Sequence, residues 1–149
     1  MNVRDKLFMI DCGEGAQLQF RKSHLKFSRL NHIFISHLHG DHCFGLLGLI
    51  STLNLLGRTA ELHIHSPKGL ETLLTPMLDF FNRQMTYKVL FHEFDTKEPM
   101  LIYEDRSLTV TTIPLRHRMP CCGFLFAEKR CPNHIIREMV DFYQVPVYE

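Results

Sequence analysis

The sequence has almost no surplus of charge: 17 Lys and Arg stand against 16 Asp and Glu, a formal net charge of +1 over 149 residues. That balance excludes bulk attraction to nucleic acid or to an acidic membrane surface, so a polyanionic partner must be held by a local patch. No apolar run approaches the ~18 residues of a membrane span, and the opening MNVRDKLFMIDCGEG is too polar for a secretory signal. The expected location is cytoplasmic, with no membrane partner. The five cysteines, Cys12, Cys43, Cys121, Cys122 and Cys131, contain no CxxC pair and are odd in number, which argues for reduced thiols. Repeats, low-complexity tracts and an obvious linker are absent too, so one folded unit is expected. Hydrophobic residues make up 45% and charged residues 22%, the composition of a globular domain able to bury a core without staples.

What is abundant is histidine, ten in all, with His37, His39 and His42 inside six residues. Upstream, LFMIDC over residues 7–12 reads as a buried strand ending at Asp11 and a Gly13/Gly15 turn. Residues 17–24 form a short helix, and HIFIS over 32–36 is a second buried strand. After HLHGDH, Leu46, Leu49, Ile50 and Leu53 follow helical spacing, giving a helix over 44–56 stopped by Gly57 and buried on most sides. A strand over 61–66 precedes a helix containing Pro76, which is expected to bend or split it. From Tyr87 the character changes to consecutive strands over 87–94, 100–104, 107–115 and 123–128, with Asp105 and Arg106 turning a hairpin. The sum is an α/β reading of about seven strands and three helices before residue 130. The remainder, residues 129–149, has a short amphipathic stretch framed by Pro132 and Pro146.

In HLHGDH, His37 and His39 alternate, too close for the i, i+4 pairing of a zinc helix, so they sit on a loop past the strand end. Gly40 lets the backbone turn so that Asp41 and His42 face the neighbouring space. Four ligand-type side chains in six residues suit two ions roughly 3.5–4 Å apart, as in metal-assisted hydrolysis. Imidazole with carboxylate favours zinc, with manganese or iron as alternatives. Taken singly, His24, His32, His63, His65, His92 and His134 read as ordinary surface or satisfied core residues, and Cys43 as a small buried thiol.

The strand followed by HxHxDH, with Asp11-Cys12-Gly13 upstream, resembles the metallo-β-lactamase fold. More narrowly, DCGEGAQLQ, FISHLHGDHCFGLLGLI and IPLRHRMPCCGFLF resemble ribonuclease Z, the family that trims the 3′ trailer from precursor tRNA. The resemblance implies the first half of an αββα sandwich, with residues 1–128 as a metal-binding half-domain and 129–149 as the start of a substrate arm whose cations are Lys129, Arg130 and Arg137. It implies His37, His39 and His117 as ligands of the first zinc, Asp41 and His42 on the second, Asp41 as general base, and Asp11 orienting ligand histidines. The family's bridging aspartate, its last ligand histidine and a third, catalytic histidine find no counterpart in these residues. The chain is therefore expected to be a mostly N-terminal part of a homodimeric enzyme, inactive alone and exposing an apolar face where a second sheet is missing. The alternatives are another hydrolase of that superfamily acting on small phosphodiesters or aryl esters, and a non-catalytic metal-binding half-domain.

Overall fold

The structure, a computed structural model, describes residues 1–130 and 137–144. Five strands form one sheet in the order β1 (Asn2–Val3), β2 (Lys6–Ile10), β3 (Leu30–Phe34), β4 (Leu62–Pro67), β5 (Val89–Phe94). β1 pairs antiparallel with β2, and β2 through β5 run parallel. Parallel neighbours need crossovers. These are α1 (Ala16–Lys22), the consecutive helices α2 (Gly40–Cys43) and α3 (Gly45–Leu55), and α4 (Leu70–Phe81). All three crossovers contribute to one core, in which Phe20, Leu46, Leu49, Ile50, Leu53, Leu70, Leu74 and Leu78 pack on Leu30, Ile33, Leu62 and Ile64 of the sheet and on Ile35 just past the end of β3.

The other face of that sheet meets a second, antiparallel sheet of β6 (Leu101–Glu104), β7 (Leu108–Pro114) and β8 (Cys122–Glu128). Phe8 and Phe34 pack there against Leu108 and Val110, with Phe124 and Phe126 edging in. The result is helices, sheet, sheet: three layers. The sequence-based expectation that a second sheet is missing is corrected, because β6, β7 and β8 form one. The expected hairpin is present: Asp105 Oδ1 accepts from the backbone N–H of Ser107 and Leu108 at 2.6 and 2.9 Å, closing the turn between β6 and β7.

Four details depart from the sequence reading. β1 was not anticipated, and it makes eight strands among the described residues. The helix expected over 44–56 begins earlier, as α2, and restarts at Gly45. α3 buries only one side: Leu46, Leu49, Ile50 and Leu53 are at most 1% exposed, each stabilising by about 1.5–3 kcal/mol, while Leu55 and Leu56 stand in solvent. Pro76 lies inside α4 without splitting it. Of the region 129–149, the structure describes a helix α5 (Arg137–Phe142), and Cys131, His134 and Pro146 lie outside the described residues. Among the described residues, no helix is long and apolar enough to cross a membrane.

One feature of the inter-sheet face was invisible in the sequence. Parallel register brings His32, His63, His65 and His92 together as a stack, with ring centroids 4.7 Å apart for His32 and His63 and 4.8 Å for His65 and His92. Burial, reinforced by the neighbouring imidazoles, pushes His65 down to about 3 and His32 to about 4. In the unfolded chain both take a proton near pH 6.5. Below that pH the unfolded state binds more protons, so stability is lost as pH falls. For His65, 4% exposed, the loss between pH 6.5 and 5 is about 2 kcal/mol. Urea denaturation in chelator is expected to show this slope, and His65→Phe to flatten it; an equal slope in the variant contradicts the assignment.

Candidate metal centre

β3 delivers the chain directly to the site. Past its end, Ile35 N donates to His65 O at 2.8 Å, which fixes the backbone before it leaves the sheet at Ser36, His37, Leu38 and His39. His37 is buried, His39 half-buried, and the loop passes at once into α2, which carries Asp41 and His42. The parallel strand β2 ends beside it at Asp11, whose φ of 56° is left-handed, a conformation Asp tolerates better than most residues. That kink aims the carboxylate inward: Oδ1 accepts from Ser36 N at 2.8 Å, and Oδ2 accepts from Ser36 Oγ at 2.9 Å and lies 2.7 Å from His42 Nδ1.

The fit of the Asp11 loop to α2 and α3 is set by backbone. Cys12 N donates to His42 O at 2.7 Å and Gly45 N to Cys12 O at 2.8 Å. Side chains are not tolerated at this contact: a Cβ on Gly13 would meet Asp41 O at 2.2 Å, and one on Gly45 would meet Gly13 O at 2.0 Å. The two glycines are thus required by close approach of main chains rather than by turn geometry.

Three imidazoles converge here. His37 Nε2 and His39 Nδ1 are 3.1 Å apart, and His117, from the loop after β7, brings its ring centroid to 5.0 Å from that of His37 and 5.1 Å from that of His39. One ring nitrogen from each of His37, His39 and His117 lies within 4.8 Å of the others, the one such group of three among the described residues. Met119 N donates to His117 Nδ1 at 3.3 Å, which leaves Nε2 as the free ligand atom. Burial, followed by the imidazoles of His42, His39 and His117, lowers the pKa of His37 and favours its neutral form, the form in which an imidazole can take a metal. Three imidazole nitrogens fit an ion of the zinc class with an open fourth position.

Asp41 and His42 form an adjoining pair, Asp41 Oδ2 lying 3.3 Å from His42 Nε2, with the Asp41 side chain exposed. Two donors make a weaker grip than three. Asp11 is held against the other ring nitrogen, an arrangement that puts the proton on His42 Nδ1 and the lone pair on Nε2. Asp11→Asn keeps the kink and the bond from Ser36 N but loses the charge. It is expected to weaken metal binding at the Asp41/His42 pair roughly tenfold to a hundredfold with the fold intact, read by metal titration and circular dichroism. Unchanged affinity contradicts the orienting role.

Two elements of the site belong to no motif in the sequence. Ser36 is the hub: besides its two bonds to Asp11, its Oγ lies 3.1 Å from His37 Nδ1 and 3.4 Å from His42 Nδ1. Its position directly before His37 was the available signal. Arg116 and Arg118, both exposed, flank His117 and give the rim a local positive patch in a chain of near-zero net charge. Cys43 is buried, its Sγ donating to His39 O at 3.3 Å, and burial raises its thiol pKa, so it packs under the loop as a neutral thiol.

Comparison with known proteins bears on this geometry. Ribonuclease Z of Bacteroides fragilis is 80% identical over all 149 residues, and that of Bacteroides thetaiotaomicron 78%; the matches take in 49% and 47% of those proteins. The chain thus spans about half the length of the curated relatives it matches. Human tRNase Z, short form, superposes with a TM-score of 0.78 at 31% identity, over 86% of this chain and 56% of that one. The metallo-β-lactamase-fold protein YhfI from Bacillus subtilis superposes at 0.56 with 18% identity, over 83% of this chain and 46% of that one, a likeness of fold alone. A family model described as "Anti-Pycsar protein Apyc1" matches residues 1–132. The chain therefore belongs to the Anti-Pycsar protein Apyc1 family, has part of the metallo-β-lactamase fold, and is similar along its whole length to about half of a ribonuclease Z.

Proposed function

We propose that the chain is the metal-binding part of a ribonuclease Z-type endoribonuclease, a cytoplasmic homodimer that removes the 3′ trailer of precursor tRNA by hydrolysing one phosphodiester bond. The observation that carries this reading is the convergence of His37, His39 and His117 from a strand end and a distant loop onto one point. In this reading His37, His39 and His117 hold one zinc ion, and Asp41 with His42 holds a second, manganese or iron being alternatives. Bound zinc supplies Lewis acidity toward the phosphate and lowers the pKa of water.

The residues themselves divide the remaining work. Asp41, open to solvent beside His42, accepts the proton of the attacking water. Asp11 fixes His42 through Nδ1, and Ser36 fixes Asp11. Arg116 and Arg118 attract the phosphate backbone, so binding of RNA weakens as salt rises. The substrate arm is proposed to begin at residue 129, where Lys129 is engaged by Glu104.

The family description differs from the name of the curated relatives, which keeps a second reading in play: a hydrolase of small phosphodiesters. One experiment separates them. The chain alone, and the chain joined to the C-terminal half of the Bacteroides fragilis relative, are assayed on precursor tRNA and on bis(p-nitrophenyl) phosphate. The chain alone is expected to be inactive. The joined protein is expected to release the 3′ trailer, with Asp41→Asn lowering kcat about a hundredfold or more. Cleavage of the small ester without precursor tRNA favours the second reading, and cleavage of neither contradicts both.

A further inference from the structure

We propose that Ser36 is a positioning residue for the metal centre: its hydroxyl relays the charge of Asp11 to His37, so that one carboxylate sets the ring tautomer of a ligand histidine at each of the two ion positions. The inference rests on reading His37, His39 and His117 as one such position and Asp41 with His42 as the other, and is independent of the substrate. Main-chain bonds hold Ser36 on both sides: its N donates to Asp11 Oδ1 at 2.8 Å, and its O accepts from Cys122 N at 3.1 Å. With the backbone fixed in this way, the hydroxyl oxygen lies 2.9 Å from Asp11 Oδ2 and 3.1 Å from His37 Nδ1.

The chemistry of the groups fixes the direction of these bonds. A carboxylate only accepts, so Ser36 Oγ–H donates to Asp11 Oδ2 and the hydroxyl lone pairs are left for the imidazole. His37 then carries its proton on Nδ1 and donates it to Ser36 Oγ, which leaves Nε2 bare. The opposite assignment, with the hydroxyl proton turned to His37 Nδ1, sets two acceptor oxygens 2.9 Å apart with no proton between them. Nε2 is the atom that faces the next imidazole, 3.1 Å from His39 Nδ1, and those two rings meet at 71° rather than in one plane. Asp11 holds His42 Nδ1 directly, at 2.7 Å, and presents His42 Nε2 in the same way. Removing the hydroxyl leaves His37 Nδ1–H without its acceptor, and the proton is better placed on Nε2, where His39 Nδ1 receives it. That tautomer turns a proton, and no lone pair, toward the metal position.

The test reads the histidine ring nitrogens of the full chain, first without metal, by long-range proton–nitrogen correlation spectra. In the wild type His37 is expected to carry its proton on Nδ1, and in Ser36→Ala to move toward the Nε2-protonated form. Ser36→Thr, which keeps the hydroxyl, is expected to restore the wild-type pattern. Both main-chain bonds of residue 36 remain in these variants, and circular dichroism checks that they fold. Zn(II) is then titrated into the same proteins: Ser36→Ala is expected to weaken the binding read at His37 roughly tenfold, with Ser36→Thr close to wild type. A wild-type His37 protonated on Nε2, or a Ser36→Ala chain whose His37 tautomer is unchanged, overturns the proposal. A wild type with the proton on Nδ1 that binds no Zn(II) overturns the metal reading instead, so the two failures are told apart.

Discussion

Replacing His37 by alanine is expected to lower the zinc affinity of the chain roughly a hundredfold to a thousandfold. Structural zinc sites of four ligands contribute about 10–16 kcal/mol, or about 3–4 kcal/mol for each ligand, and each 1.4 kcal/mol is tenfold in affinity. His37 is the buried member of the three imidazoles, its Nε2 3.1 Å from His39 Nδ1 and its ring centroid 5.0 Å from that of His117, so its loss opens the inner side of the cluster. His117 is exposed on a loop, and the cost of His117→Ala is expected to be the smaller of the two, since water can take its place. Competition titration against a chromophoric chelator measures both. Equal affinity in wild type and His37→Ala contradicts the assignment.

Gly45→Ala is expected to destabilise the fold by about 3 kcal/mol or more and to release the metal centre with it. The added methyl group would lie 2.0 Å from Gly13 O and 2.9 Å from Cys12 O, both main-chain atoms with nowhere to rotate. Relief requires the Asp11 loop to lift from α3, which breaks the bonds from Cys12 N to His42 O and from Gly45 N to Cys12 O and draws Asp11 away from His42. Gly40→Ala is the control. The three atoms nearest its methyl all belong to the ring of Phe44, which is 75% exposed and free to swing aside, so the expected cost is below about 1 kcal/mol. Thermal denaturation ranks the two variants, and a Gly40→Ala protein less stable than Gly45→Ala contradicts the close-approach argument.

The part of the fold that carries the histidine loop was legible because its signals are local. HIFIS is a continuous apolar run because its two faces are both buried, Ile33 and Ile35 under the helices and Phe34 between the sheets, whereas Leu46, Leu49, Ile50 and Leu53 repeat at helical spacing because one side of their helix packs on the core. β1 escaped because its turn to β2 passes through Arg4 and Asp5 at φ of 48° and 62°, a left-handed pair normally announced by Asn-Gly. His117 is placed through resemblance, with its position past the end of an expected strand as the one local signal, since no periodicity links it to residues some eighty positions earlier. The four-histidine stack was missed for a related reason: each residue looks ordinary alone, and only the parallel register of β3, β4 and β5 brings them together. Sequence patterns expose what one element buries, whereas contacts between elements appear only once their register is known.

The most direct measurement is the zinc content of the chain, purified without added metal and dialysed against metal-free buffer, beside a His37→Ala/His39→Ala/His117→Ala variant confirmed folded by circular dichroism. The account predicts at least one tightly held zinc per chain in the wild type and loss of that ion in the variant. A wild-type chain that retains no metal and binds none on titration, or a variant that holds as much as the wild type, would contradict it.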